Sequence, residues 1–217
     1  MTPASQQALE GMRDLTTLQW YVIPMLAYTF YIYTKETQRG LTQGDWNGFF
    51  AGLTIFGVDF INETWNGWVF HFTGYSAFWT APGPSALRTM IGWNIEIMFM
   101  FAILGIIFYN TILPDPKRKI LGIQTQWFWA IAYSAFCVFI ECFLNLGGLL
   151  IWEYSFWKLS WGGLWLIFLI GYFHFFVAAI IVISLKTMRA KITMVACIYA
   201  VAIAMNIYGM GIKGWVY

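Results

Sequence analysis

The sequence predicts an all-α protein, a polytopic membrane helix bundle of about six transmembrane helices in a single domain covering residues 1–217. Three observations carry that prediction. Hydrophobic residues make up 60% of the chain and charged residues 10%. Apolar runs of about 20 residues recur, the length that crosses about 30 Å of hydrocarbon. The breaks between the runs collect Gly, Pro, Lys and Arg.

Taken in order, the chain begins with a polar segment through Thr17 that carries Glu10, Arg13 and Asp14 and is not a cleavable signal peptide. Hydropathy then places spans at about 18–34, where Pro24 is expected to bend the helix, and at 47–70, 87–113, 124–151, 162–185 and 192–212. The breaks fall at Arg39-Gly40 and Gln43-Gly44, at Pro82-Gly83-Pro84, at Pro114-Asp115-Pro116 and at the short turn 186–191. No repeat and no long linker divides the chain. The first, third and fifth loops hold Lys35, Arg39, Lys117, Arg118, Lys119, Lys186, Arg189 and Lys191. Arg13, Arg88, Lys158 and Lys213 fall on the other side. The positive-inside bias therefore puts the odd-numbered loops in the cytoplasm and both termini outside it.

A net charge of +2 with no basic stripe excludes a nucleic-acid partner. Cys137, Cys142 and Cys197 lie in apolar spans without CxxC spacing and read as buried packing thiols. The Asn62-Glu63-Thr64 sequon sits within a span and is a chance match.

The second span holds the unusual chemistry. Asp59, Asn62, Glu63 and Asn66 stand at i, i+3, i+4 and i+7, on one face of a helix. At 1.5 Å per residue, Asp59 and Glu96 lie roughly 18 Å from the cytoplasmic edge, and Glu63 and Glu141 roughly 24–25 Å. The fourth span repeats the pattern with Ser134, Cys137, Glu141, Asn145 and Gly148 on one face. His174 is somewhat deeper, and His71, Glu153 and Asn206 are nearer the outer mouth. Intramembrane acids are expensive and mark wet cavities or function. No Lys or Arg in the interior of a span is available to pair these acids, so a polar chamber lined by spans two to five is expected, its carboxyls protonated or metal-bound. Asn94, Asn110 and Asn206 are read as interhelical glue.

Desolvated carboxyls beside carboxamides suit general acid and base work. Aromatic residues are 21% of the chain, and Trp65, Trp68, Trp93, Phe99, Phe136, Phe143, Trp165, Phe173 and Phe175 fall around the acids, where ring faces can stabilise a cation. Such rings at helical spacing are also ordinary packing. Acid-initiated carbocation chemistry on an apolar substrate is what proton donors in an aromatic box would perform.

Asp59-Phe-Ile-Asn-Glu63 resembles the N-x-x-x-E pattern in the second span of the integral-membrane terpene cyclases of fungal meroterpenoid and indole-diterpene pathways, with Glu63 at their proton-donor position. The run from Asn94 to Phe99 is similar to their following span, and the segment from Trp152 to Trp165 resembles the aromatic lead into their last span. Their second acid is an Asp where this chain has His174; two middle spans are absent and a last one is added. The chain also resembles the emopamil-binding sterol isomerases, whose two glutamates match Glu63 and Glu96, with Asp59 where they carry a His. Both resemblances imply protonation of an alkene.

The first reading is thus an integral-membrane cyclase or double-bond isomerase acting on an isoprenoid or other apolar lipid. Glu63 is its acid, Asp59, Glu96, Glu141 and His174 its further catalytic candidates, and Asn62, Asn66, Trp65, Trp93, Asn145, Trp165 and Phe173 its substrate-binding candidates. No metal or other cofactor is implied, and membrane lipids are the expected surroundings. The competing readings are a small proton-coupled transporter or channel using the acids as a relay, a metal enzyme on Asp59, Glu63, Glu96, Glu141 and His174, and a lipid-binding sensor. Bis-histidine haem ligation is excluded because His71 and His174 lie at different depths. No GxSxG, paired-aspartate or P-loop motif is present.

Overall fold

A computed structural model of the chain describes residues 1–112 and 118–217; the expected end of the third span at Leu113, the Pro114-Asp115-Pro116 break and Lys117 lie outside the described residues. Long helices dominate, as they must where a backbone has no water to bond. A short helix α1 (Pro3–Glu10) opens the chain, with Thr2 accepting the Ser5 amide at 3.3 Å and Pro3 in the first turn. Helix α2 (Val22–Gln43) follows. Pro24 falls in its first turn, where a missing N–H breaks no intrahelical bond, and the helix runs past the expected end at Thr34 to stop at Gly44, whose φ of 72° is a left-handed cap.

Helix α3 (Asn47–Thr73) is the centre of the bundle. The third predicted span begins later than hydropathy indicates. Residues 87–94 form a hairpin of β1 (Arg88–Met90) and β2 (Trp93–Asn94), and α4 (Ile95–Ile112) starts after it, the Asn94 side chain accepting the Ile97 amide at 2.9 Å. A second hairpin, β3 (Lys119–Ile120) with β4 (Ile123–Gln124), turns through Leu121 and Gly122, both at positive φ as a tight hairpin turn requires. Helix α5 (Thr125–Leu146) stops at Gly147-Gly148, short of the expected Ile151, which instead exchanges backbone bonds with Thr80 at 2.7 and 3.0 Å. The fifth rod is continuous: α6 (Trp161–Leu166), a π-helical stretch Ile167–Phe173, and α7 (His174–Ser184). Helix α8 (Met188–Asn206) likewise ends in a π-helical stretch, Ile207–Ile212.

The protein is an all-α membrane bundle. Four of its rods, Ile95–Ile112, Thr125–Leu146, Trp161–Ser184 and Met188–Ile212, are long and apolar enough to cross a bilayer. Helices α2 and α3 fill the other two predicted stretches, and their polar residues hold them below that hydropathy. Helix α3 packs on α4, α7 and α8 through small residues: a Cβ on Gly105 of α4 would strike the Ala51 backbone, so only glycine permits this approach. Ile55, Phe101, Phe108, Phe175 and Phe176 fill the core between α3, α4 and α7.

The two ends of the bundle differ. At one end α1, the C-terminus, residues 75–94 and residues 147–160 meet as a cover. Thr2 donates to the Tyr75 carbonyl at 3.1 Å, Tyr154 to the Ser76 carbonyl at 2.8 Å, and Arg13 to the Tyr217 carbonyl at 3.3 Å. Arg88 ties the cover together, donating to the carbonyls of Ala81 at 2.6 Å, Gly83 at 2.7 Å and Ala8 at 3.2 Å; burial pulls its pKa down. At the other end Glu36 pairs with Arg39 at 3.0 Å, and Asn110 bridges both. Lys35 and Arg39, expected in a loop, therefore stand on α2. Lys191 donates to Asn47 at 2.6 Å and to the Ile183 carbonyl at 2.7 Å, capping α7. All three cysteines are free; Cys137 is buried, whereas Cys197 faces outward rather than packing inside.

Candidate active site

Helical spacing brings Asp59, Asn62 and Glu63 of α3 to one face, and that face looks into a cavity of about 660 Å³. Strand β2 adds Asn94 to its wall, helix α4 adds Glu96 and Phe101, α5 adds Tyr133, Cys137 and Glu141, and the fifth rod adds Gly171, Tyr172 and Phe175. Carboxyl groups from three helices thus share one hollow. No Lys, Arg or His is among the described residues that line it.

Three of the acids stand close together. Glu63 is 4% exposed; its Oε1 accepts the Trp79 indole N–H at 2.8 Å, and its Oε2 has no partner. Gly92, in the hairpin, leaves that oxygen open, since a Cβ there would come within 2.7 Å of it. Asp59, one turn away, repels Glu63 electrostatically, and its Oδ2 is also without a partner. The Trp93 indole lies beside Asp59 but outside hydrogen-bond geometry. Glu141 faces Glu63 from α5, accepts the Trp152 indole at 3.2 Å, and has the Tyr172 phenol beside it. Burying carboxyls without a cation costs several kcal/mol per charge, so an arrangement of this kind is kept for what it does rather than for stability.

Glu96 differs. It lines the cavity, but Tyr21, Ser85 at 2.9 Å and the Ala86 amide at 2.8 Å all donate to it. Its oxygens are occupied in anchoring the cover to the start of α4, which leaves it ill placed for the catalytic role expected from the sequence.

Seven further expectations need correction because the side chains lie off the cavity wall. Asn66 is fully buried and spent on the backbone, accepting from Phe78 at 2.8 Å and Trp79 at 3.2 Å and donating to the Trp79 carbonyl at 2.7 Å. It fixes the loop that carries Trp79. Asn145 donates to the Leu150 carbonyl at 2.9 Å in the turn after α5. Trp65 faces outward against Phe72, and Trp165 outward against Phe168. Trp93 is stacked on Phe60, and Phe173 on Phe168. His174 packs on Phe175 with its Nδ1 unpartnered, off the cavity wall. His71 stacks on Trp215 and bonds the Val216 carbonyl at 2.9 Å. Among the described residues no three His, Cys, Asp or Glu side chains gather closely enough to hold a metal ion.

The cavity's aromatic wall is also not the expected one. Of the nine rings read from the sequence, Phe136 and Phe175 line it, joined by Trp79, Phe101, Tyr133, Trp157 and Tyr172. Trp79 and Trp157 stack on each other from two separate loops, at 5.7 Å between centroids. Helical spacing carries no signal for either. Tyr172 is turned inward by the π-helical stretch, a feature that often marks a working site.

Two comparisons match the chain over nearly its whole length. Residues 2–211 match a family described as "Uncharacterized membrane protein family". A protein of Archaeoglobus fulgidus, described as an uncharacterized protein, is 40% identical over 215 residues, covering 99% of each chain. No solved structure matches.

Proposed function

The chain belongs to this uncharacterized membrane protein family, and from that premise we propose an integral-membrane enzyme that protonates a carbon–carbon double bond of an isoprenoid or similarly apolar lipid, ending in ring closure or a double-bond shift. One observation carries the reading: a Glu63 carboxyl oxygen, buried and unpartnered, at the wall of a cavity whose volume of about 660 Å³ suits a lipid chain.

Glu63 in its acid form gives its proton to one alkene carbon. The π pair becomes the new C–H bond, and the neighbouring carbon is left cationic. Phe101, Tyr133, Phe136, Tyr172 and Phe175 surround that cation with ring faces. An internal alkene then attacks it to close a ring, or an adjacent C–H bond gives its electron pair to form the shifted double bond. In either case a carboxylate takes up the released proton, and Asp59 and Glu141 both stand near Glu63 for this. Asp59, at i−4 on the same helix, is placed to return the proton to Glu63. Asn62 lines the cavity next to them and orients the carboxyls. The chemistry needs no cofactor.

The Lys and Arg distribution supports an orientation in which both termini and the acid-bearing end are non-cytoplasmic. The test is to incubate the protein in vesicles with polyunsaturated isoprenoids in heavy water and analyse the lipids by mass spectrometry. A cyclised or isomerised product carrying one deuterium is expected. With Glu63→Gln, folded to the same extent, the product disappears; unchanged product from that variant overturns the proposal and leaves a lipid-binding protein.

A further inference from the structure

The cavity's wall changes character from one side to the other. Glu63, Asp59, Glu141, Trp79 and Trp157 are all buried and form its closed side. Met100 and Ile107 of α4 and Phe136 and Ile140 of α5 line the same cavity, yet all four are also exposed on the outer surface of the bundle, Phe136 at 58%. The spacing explains this, since seven residues separate Met100 from Ile107 and four separate Phe136 from Ile140, so each pair stands on one helix face. Between α4 and α5 the cavity is therefore continuous with the lipid-facing surface.

Hydrogen bonds tie the two ends of the cavity, although Pro84 and Leu149 at the cover end are also exposed. Toward the cover, Thr80 and Ile151 are joined by two backbone bonds, and Arg88 holds the carbonyls of Ala81 and Gly83 over the cavity end lined by Gly83 and Pro84. Toward the opposite end, Thr111 of α4 and Tyr133 of α5 are bonded at 2.8 Å, closing the two helices together below the opening.

We propose that the gap between α4 and α5 is a lateral portal through which an isoprenoid chain passes directly from the bilayer, its reactive end reaching the buried acids while its tail stays between Met100, Ile107, Phe136 and Ile140. The substrate's class rests on the acid-chemistry reading above; the route rests on the exposure and sealing of the cavity wall. A water-borne substrate or a transmembrane proton path would use the ends of the cavity instead. The four portal residues carry no polar group, which suits a hydrocarbon tail and excludes a charged one.

The portal is tested with geranylgeraniol bearing a terminal diazirine, added to the full-length protein in phosphatidylcholine vesicles, photolysed, and mapped by mass spectrometry. Label is expected on cavity-lining residues, saturable by unmodified geranylgeraniol. Ile107→Trp with Ile140→Trp should lower that label roughly tenfold through overpacking while thermal unfolding remains cooperative. The single Ile140→Trp, a smaller insult to folding, should lower it in part. Label that is unsaturable and equally strong at Phe139 and Ile131, exposed α5 residues off the cavity wall, overturns the portal, as does a benzophenone side chain at position 136 that joins two copies of the chain instead of lipid. The two proposals fail separately. Saturable cavity label with full turnover by Glu63→Gln removes the acid chemistry alone; loss of turnover in Glu63→Gln with no saturable label removes the portal alone.

Discussion

Glu36 and Glu63 are each 4% exposed and stand on adjacent helices, and their surroundings are opposite. Glu36 has Arg39 at 3.0 Å and Asn110 at 3.0 Å, so its charge is matched where it lies. Glu63 has one indole N–H, two neighbouring acids and an open oxygen. The same contrast runs through the two ends of the bundle. At the first, Asp45 accepts from Tyr109 at 2.9 Å and Lys191 caps α7, so every charge named there has a structural use. At the second, carboxyls face each other across a hollow. Depth of burial therefore says little about what an acid is for; the partners decide it.

Exchanging each acid for its amide sharpens this comparison most. Glu63→Gln is expected to lower turnover by about 10²–10⁴-fold, the share of a general acid, while the unfolding temperature holds or rises because an unpaired acid has gone. Glu36→Gln is expected to do the reverse, costing about 1–3 kcal/mol of stability with turnover per folded molecule unchanged. Thermal unfolding in detergent and product assays on the same preparations measure both, and equal responses would erase the distinction.

The next largest effect belongs to Asn66. Asn66→Ala removes three hydrogen bonds to the Trp79 loop and should cost about 1–3 kcal/mol, seen as a lower unfolding temperature and faster proteolysis within residues 75–94. Tyr172→Phe takes away the phenol beside Glu141 and should lower turnover by roughly tenfold with unchanged stability, changing the pH profile of the reaction rather than substrate binding. The smallest effect is expected at His174, off the cavity, where exchange for Gln should leave turnover per folded molecule as it was. A large loss there would return His174 to the site and break the division drawn here.

Part of this was legible in the sequence. Asp59, Asn62 and Glu63 share a helix face by spacing alone, and Glu141 follows from the same period in the fourth span, so the meeting of these acids was predictable from a period of 3.6 residues. What spacing could not reach was carried by irregular backbone. Residues 87–94 are largely apolar and read as span, yet Gly92 and its neighbours make a hairpin whose missing side chain opens the space at Glu63. The π-helical stretch Ile167–Phe173 changes the residues per turn, so a face extrapolated at 3.6 residues per turn does not carry through it: Trp165 faces outward while Tyr172, seven residues on, lines the cavity. Trp79 and Trp157 come from loops and depend on contacts distant in sequence, such as the bridge between Thr80 and Ile151. Glu96 lines the cavity but has its oxygens occupied by partners, which sequence does not disclose.

The most direct test uses dicyclohexylcarbodiimide, an apolar reagent that modifies neutral carboxyl groups reachable from lipid. Applied to the protein in vesicles and mapped by mass spectrometry, it is expected to modify Glu63, with Asp59 or Glu141 as the next sites, and to leave Glu36 and Glu96 untouched. Modification of Glu36 and Glu96 with Glu63 spared would contradict the account, because it would place the uncharged, accessible acid at the paired sites rather than in the cavity.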